Sequence, residues 1–142
     1  MIKEFVNAWN KNKDKLREYF ETHEQIEYVD YGKLVNLILD LVVNPEIDYG
    51  EWINVRELDD GHYQGTLVFI FHRKTYQPSI SDYAFTYVDY GSCSGCDTLQ
   101  RIWSYHHGLP SEQQVKDYMT LCLHIIQRCK LMYEQDEYFK MD

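Results

Sequence analysis

The sequence predicts an α+β protein. Apolar residues recur at helical spacing at both ends of the chain, while in the middle, from Trp52 to Tyr90, strand patterns follow one another with no helix between them. Turn signals at Asp59-Asp60-Gly61 and Gln77-Pro78-Ser79 separate those strands. The expectation is a single domain over residues 1–142, a three-stranded antiparallel β-meander packed with N-terminal and C-terminal α-helices.

Ile2, Phe5, Val6, Trp9, Leu16 and Phe20 fall at three- and four-residue steps, the stripe of an amphipathic helix. A second helix starts after Asp30, an N-cap residue type, and carries Leu34, Val35, Leu37, Ile38, Leu41 and Val42 before Asn44-Pro45 stops it. Apolar on most sides, it belongs at the centre. Trp52 to Leu58 alternates, with Ile53 and Val55 on one face, and pairs through the Asp59-Asp60-Gly61 turn with a strand from His62 to Lys74. The run Leu67-Val68-Phe69-Ile70-Phe71 in that second arm predicts a middle strand covered on both faces. Tyr83 to Tyr90 is the third strand, and Asp97 can cap a short helix over Thr98 to Tyr105. After Pro110, Ser111-Glu112-Gln113-Gln114 has the capping-box pattern, and Val115, Tyr118, Met119, Cys122, Ile125, Ile126, Cys129 and Met132 place a last helix.

Composition limits the function classes. With 14 Lys and Arg against 23 Asp and Glu the net charge is −9, which opposes generic binding to phosphate backbones or anionic membranes, although a local basic patch can override the total. Hydrophobic residues at 44%, three Pro and seven Gly describe a folding chain rather than a disordered one. The most apolar stretch, Leu34 to Val43, is ten residues long and contains Asn36 and Asp40, well short of the roughly 20 residues of a spanning helix. Met1-Ile2-Lys3-Glu4 leads directly into a charged amphipathic segment without secretory-signal character, so the chain is expected in a cytoplasm. In that compartment four Cys are thiols, metal ligands or redox groups before they are bridges.

The sharpest local feature is the CxxC pair Cys93 and Cys96, between a strand and a helix. Three readings compete for it. A helix N-terminus lowers a thiol pKa, as a dithiol redox pair needs, but the meander lacks a βαβ context and Asp97 sets a negative charge beside Cys96. Zinc would need ligands beyond Cys93 and Cys96, with His106 or His107 the candidates. Cys122 and Cys129 cannot both join, being seven residues apart and about 10.5 Å along one helix. The third reading is structural: Gly91, Ser92 and Gly95 permit a tight loop, and Cys122 and Cys129 are small core residues. A small-ligand or anion site on the same loop is a further variant, weakened for phosphate because no Lys or Arg lies within it, which leaves a neutral or nucleotide-derived small ligand.

Tyr is abundant, its 13 copies exceeding the 12 Leu. Tyr83, Phe85 and Tyr87 alternate onto one face of the third strand, with Tyr90 near its end. That face is either covered by helices or a recognition surface, since Tyr offers contact area with a polar tip; a platform for single-stranded bases would look similar, but the surrounding acidity argues against it, and no direct nucleic-acid partner is expected. Carboxylates at Glu21, Glu24 and Glu27 and at Glu57, Asp59 and Asp60 are either a solvated surface or an acidic face that docks on a basic groove. No arrangement of Ser, Cys or His forms a nucleophile motif, so no enzyme and no cofactor is expected, zinc aside.

The stretch Tyr83 to Gln100, YAFTYVDYGSCSGCDTLQ, resembles small proteins encoded by bacteriophages and prophages that share a YGSCSGCDTLQ-like segment after a strand-rich region. The likeness covers roughly His62 to Trp103 and carries over no catalytic residues. It implies a small phage protein acting in a bacterial cytoplasm, a class that binds and disables host machinery, including defence systems such as CRISPR–Cas. The sequence reading is thus a non-enzymatic modulator of a host protein complex, with acidic and Tyr-rich surfaces as its binding face. The alternative is a protein centred on Cys93 and Cys96.

Overall fold

The computed structural model describes residues 2–61, 64–91, 97–106 and 108–133. Helix α1, Lys3–Thr22, buries Phe5, Ala8, Trp9, Leu16 and Phe20 along one stripe. Asn12 lies on the same buried stripe because its amide has partners: Nδ2 donates to the Val42 carbonyl (3.0 Å) and to Glu46 Oε1 (2.9 Å). Helix α2, Tyr31–Leu37, is capped as expected by Asp30, whose Oδ1 accepts from Lys33 N at 3.0 Å. It widens into a π-helical segment, Ile38–Val43, followed by a 3₁₀ turn at Asn44–Glu46. The wider turn buries Ile38, Leu39, Val42 and Val43 together.

Four antiparallel strands form one sheet in the order β1-β2-β3-β4: β1 Trp52–Asp59, β2 Gly65–Arg73, β3 Tyr83–Tyr90 and β4 Lys130–Leu131. The three long strands are the expected meander. The fourth was not expected. Helix α4, Glu112–Gln127, opens with the expected capping box but ends before Cys129 and Met132. Lys130 and Leu131 then pair with Phe85 and Ala84. The free edge of β3 supplies backbone partners there, and the chain satisfies them instead of adding another helical turn. Helix α3, Thr98–Ile102, is shorter than expected and is capped by Asp97.

The sheet has one covered face. Leu67, Phe69 and Phe71 of β2 and Ala84, Thr86 and Val88 of β3 are buried beneath the helices. Phe71 stacks on Phe5 of α1, and Thr86 Oγ1 donates to the Ile125 carbonyl of α4 at 2.8 Å. Val68 and Ile70 point the other way and are only half-buried, so the run Leu67–Phe71 is not covered on both faces. Their cross-strand neighbours Tyr87 and Phe85 supply that partial shelter.

Strand β1 departs from simple alternation. Asn54 pairs with Phe71 and Arg56 with Ile70, leaving Val55 as a bulge between them. Ile53 and Val55 therefore do not form the regular face that alternation predicts. Beyond the bulge Glu57 pairs with Phe69 and Asp59 with Leu67, so both carboxylates stand on the helix-covered face. At the start of β1, Asn44 closes the strand's outer edge: its Nδ2 donates to the Trp52 carbonyl (2.9 Å) and its Oδ1 accepts from Trp52 N (2.8 Å). The hairpin turn needs glycine, since a Cβ on Gly61 would lie 2.1 Å from the Gln64 carbonyl oxygen.

Candidate functional site

An acidic cleft of about 500 Å³ opens where the ends of β1 and β3 meet the first turns of α2 and α3. Its floor is a hydrogen-bonded pair. The Tyr31 hydroxyl donates to Asp97 Oδ1 at 2.5 Å and accepts from Leu99 N at 3.0 Å. Asp97 also accepts from Gln100 N (3.2 Å, at Oδ1) and from Gly91 N (3.1 Å, at Oδ2). The carboxylate thus ties the end of β3 to the start of α3 and to α2. Burial, reinforced by the hydrogen bond to Asp97, pushes the Tyr31 phenol far above its ordinary pKa, with the hydrogen bond from Leu99 N and, less, Arg101 offsetting part of the effect.

The rim is exposed and acidic. Tyr90 lies on the same sheet face as Glu57 and Asp59, and its hydroxyl donates to Asp59 Oδ1 at 2.6 Å. That bond holds the Tyr90 phenol protonated, its pKa pushed up to about 12. Asp59 Oδ1 also accepts from Gly61 N, and Asp60 Oδ1 accepts from Thr66 N, so these two carboxylates shape the turn as well as the rim. Across the cleft, a Cβ on Gly32 would lie 3.7 Å from Asp30 Oδ1 and 4.0 Å from Glu57 Oε1. The two carboxylates flank one point, and the absent side chain keeps it open. Tyr28 and Val29 line the same cleft and are 40% and 64% exposed.

The expected binding residues divide into three groups. Glu57, Asp59 and Tyr90 converge on the cleft, with Asp60 in the adjoining turn and Glu27 preceding Tyr28. Glu21 lines a separate cavity between α1 and α4, with Arg17 and Lys116, and Glu24 is exposed in the loop after α1. Tyr83, Phe85 and Tyr87 lie on the opposite sheet face, which the helices do not cover. Sequence reasoning missed Tyr28, Val29 and Tyr31 as cleft residues and used Asp97 only as a cap. Nothing in local spacing marks Tyr31 as Asp97's partner 66 positions away.

Cys93, Cys96 and His107 lie outside the described residues. His106 is exposed, and its carbonyl accepts from Gln25 Nε2. Among the described residues no group of three His, Cys, Asp or Glu is placed to hold a metal ion. Cys122 and Cys129 are buried core residues, as the structural reading expects, and burial raises both thiols, Cys129 to about 12. Among the described residues no helix is long and apolar enough to cross a membrane.

Fold and site together define an α+β protein whose helices cover one face of an antiparallel sheet and whose strand ends frame an acidic, aromatic cleft. Comparison with protein-family models, with curated proteins and with solved structures finds no match to this chain.

Proposed function

We propose that this chain is a non-enzymatic binding protein of bacteriophage or prophage origin that modulates a host protein complex, docking through the acidic cleft onto a basic surface of its partner. The observation that carries the reading is the convergence of Asp30, Glu57, Asp59, Tyr90 and exposed Tyr28 and Val29 around one opening. Carboxylates steer a cationic partner over long range, and the aromatic and apolar rim supplies contact area once it arrives. The tagged protein, immobilised and exposed to nuclease-treated bacterial lysate at low and then high salt, should retain a stoichiometric, salt-released partner. Glu57→Lys combined with Asp30→Lys should abolish that retention. A partner held equally well by the doubly reversed variant refutes docking through the cleft.

A second reading has one observation in its favour. Gly91 and Asp97, the residues flanking 92–96, both line the cleft, whose volume falls in the range of small-ligand pockets. In that reading Cys93 and Cys96 border a pocket for a small cationic or neutral ligand. Cys93→Ser and Cys96→Ser would then change ligand binding without changing partner capture.

A further inference from the structure

The charge of this protein is not spread evenly. On the sheet face away from the helices the exposed or half-buried residues are Val68 and Ile70 of β2, Tyr83, Phe85 and Tyr87 of β3, and their edge neighbours. None of these belongs to the buried core. Three cations stand on this face in a chain of net charge −9: Arg56 of β1, paired with Ile70; Lys130 of β4, paired with Phe85; and Arg128, whose guanidinium lies 5.3 Å from the Tyr87 ring centroid. From the strands, the acid on this face is Asp89 at its far end, already accepting from Thr66 Oγ1 at 2.9 Å. The acidic cleft opens on the other face. Charge and chemistry are therefore segregated by the sheet.

We infer that this uncovered face is a platform for single-stranded nucleic acid. Tyr83, Phe85 and Tyr87 project from alternate positions of one strand, so their rings repeat at about 6.4–6.8 Å, a stride that an extended strand of nucleotides can match base for base. Rings give stacking without sequence preference, and Arg56, Arg128 and Lys130 give phosphate contacts at the margins of the row. Charge complementarity decides the occupant. An anionic chain is drawn to a sheet face on whose described residues cations outnumber acids, and stacking on three rings favours bases over an acidic peptide, which would use the charge and leave the rings idle. The inference is independent of the cleft, which lies on the other side of the sheet.

The test is fluorescence anisotropy of labelled short oligouridylate and oligothymidylate with the full chain, with polyglutamate of equal charge as competitor. The expected result is saturable binding at low salt, with log Kd rising against log salt at a slope of about 2 for three phosphate contacts. Phe85→Leu, which keeps an apolar side chain, should raise Kd roughly tenfold by removing one stacking ring. Arg56→Glu with Lys130→Glu, both at the margin of the face, should flatten the salt dependence. Lys15→Gln, on the exposed side of α1 away from this face, should change Kd far less than the Arg56 and Lys130 reversals do. Circular dichroism confirms that each variant is folded. Absence of saturable binding up to roughly 100 µM at low salt overturns the inference. So does binding that Phe85→Leu leaves unchanged while polyglutamate competes equally, an outcome that assigns the face to an acidic protein segment.

Discussion

Tyr31→Phe removes one oxygen atom from the interior and should cost far more than its size implies. The hydroxyl is engaged twice, donating to the Asp97 carboxylate and accepting from Leu99 N. Tyr31 is 1% exposed, Leu99 0% and Asp97 7%, so the pair is largely shielded at the cleft floor. The substitution withdraws one of the three donors that the described residues supply to a buried carboxylate, and orphans an amide in the first turn of α3. A hydrogen bond to a charged group contributes about 1.5–3 kcal/mol, and a buried orphan amide costs about 1–3 kcal/mol, so the loss should be about 3 kcal/mol. Tyr118→Phe is the internal control. Its hydroxyl accepts a single neutral bond from Ile26 N at 3.2 Å, for about 1 kcal/mol. Urea unfolding followed by tryptophan fluorescence measures both, since Trp9 and Trp52 are buried. Pairing Tyr31→Phe with Asp97→Asn in a double-mutant cycle should give a coupling energy of at least about 1 kcal/mol. Equal costs of about 1 kcal/mol for the two tyrosine variants, with no coupling to Asp97, would refute the view that the cleft floor depends on this pair.

Three further outcomes follow from the same geometry. The raised phenols of Tyr31, Tyr90 and Tyr118 stay protonated in the fold while their unfolded counterparts ionise near pH 10; their contribution is complete below that value and lost above it, so stability should fall on alkaline titration, by up to about 1.4 kcal/mol per pH unit for each of Tyr31 and Tyr118, and less in Tyr31→Phe. Deleting Val55 removes the bulge without changing which face Asn54, Arg56, Glu57 or Asp59 occupies, so the variant should fold with a loss of about 1–2 kcal/mol by urea titration and keep its partner, whereas deleting Leu58 should abolish capture by turning Asp59 to the other face. In a Cys93→Ser, Cys96→Ser background, Cys122 and Cys129 should not react with a thiol reagent until the chain unfolds, because both are buried with raised thiol pKa values.

What the sequence discloses here is what period and end-signal can encode. The stripe of α1, the Asp30 and Asp97 caps and the Ser111 capping box are local, and each appears where spacing puts it. The ends that lack a punctuating residue are the ones misjudged. After Gln127 no Gly or Pro marks the stop, and Cys129 and Met132 continue a helical spacing that the chain abandons for the edge of β3. The bulge at Val55 carries no glycine, so alternation read through it puts Glu57 and Asp59 in the wrong phase. The individual acids and Tyr90 were legible as binding candidates, but their meeting in one cleft depends on that bulge and on pairings across the fold. Likewise, the aromatic row on β3 was legible, whereas the cations gathered around it come from β1, β4 and the end of α4.

The packing of the first helix against the last bears on how the chain is made. Phe20 of α1 stacks on Tyr118 of α4 with ring centroids 4.8 Å apart, and Ile26 N reaches the Tyr118 hydroxyl across 92 positions. During synthesis Phe5 can meet Trp52 and Phe71 once the sheet strands are made, but Phe20 waits for Tyr118 until α4 leaves the ribosome. Contacts of such sequence separation slow folding, because loop closure precedes any gain from them. The nascent chain therefore leaves Phe20 available to chaperones after the cleft and sheet residues have been made, and the helical layer over the sheet closes only when α4 arrives.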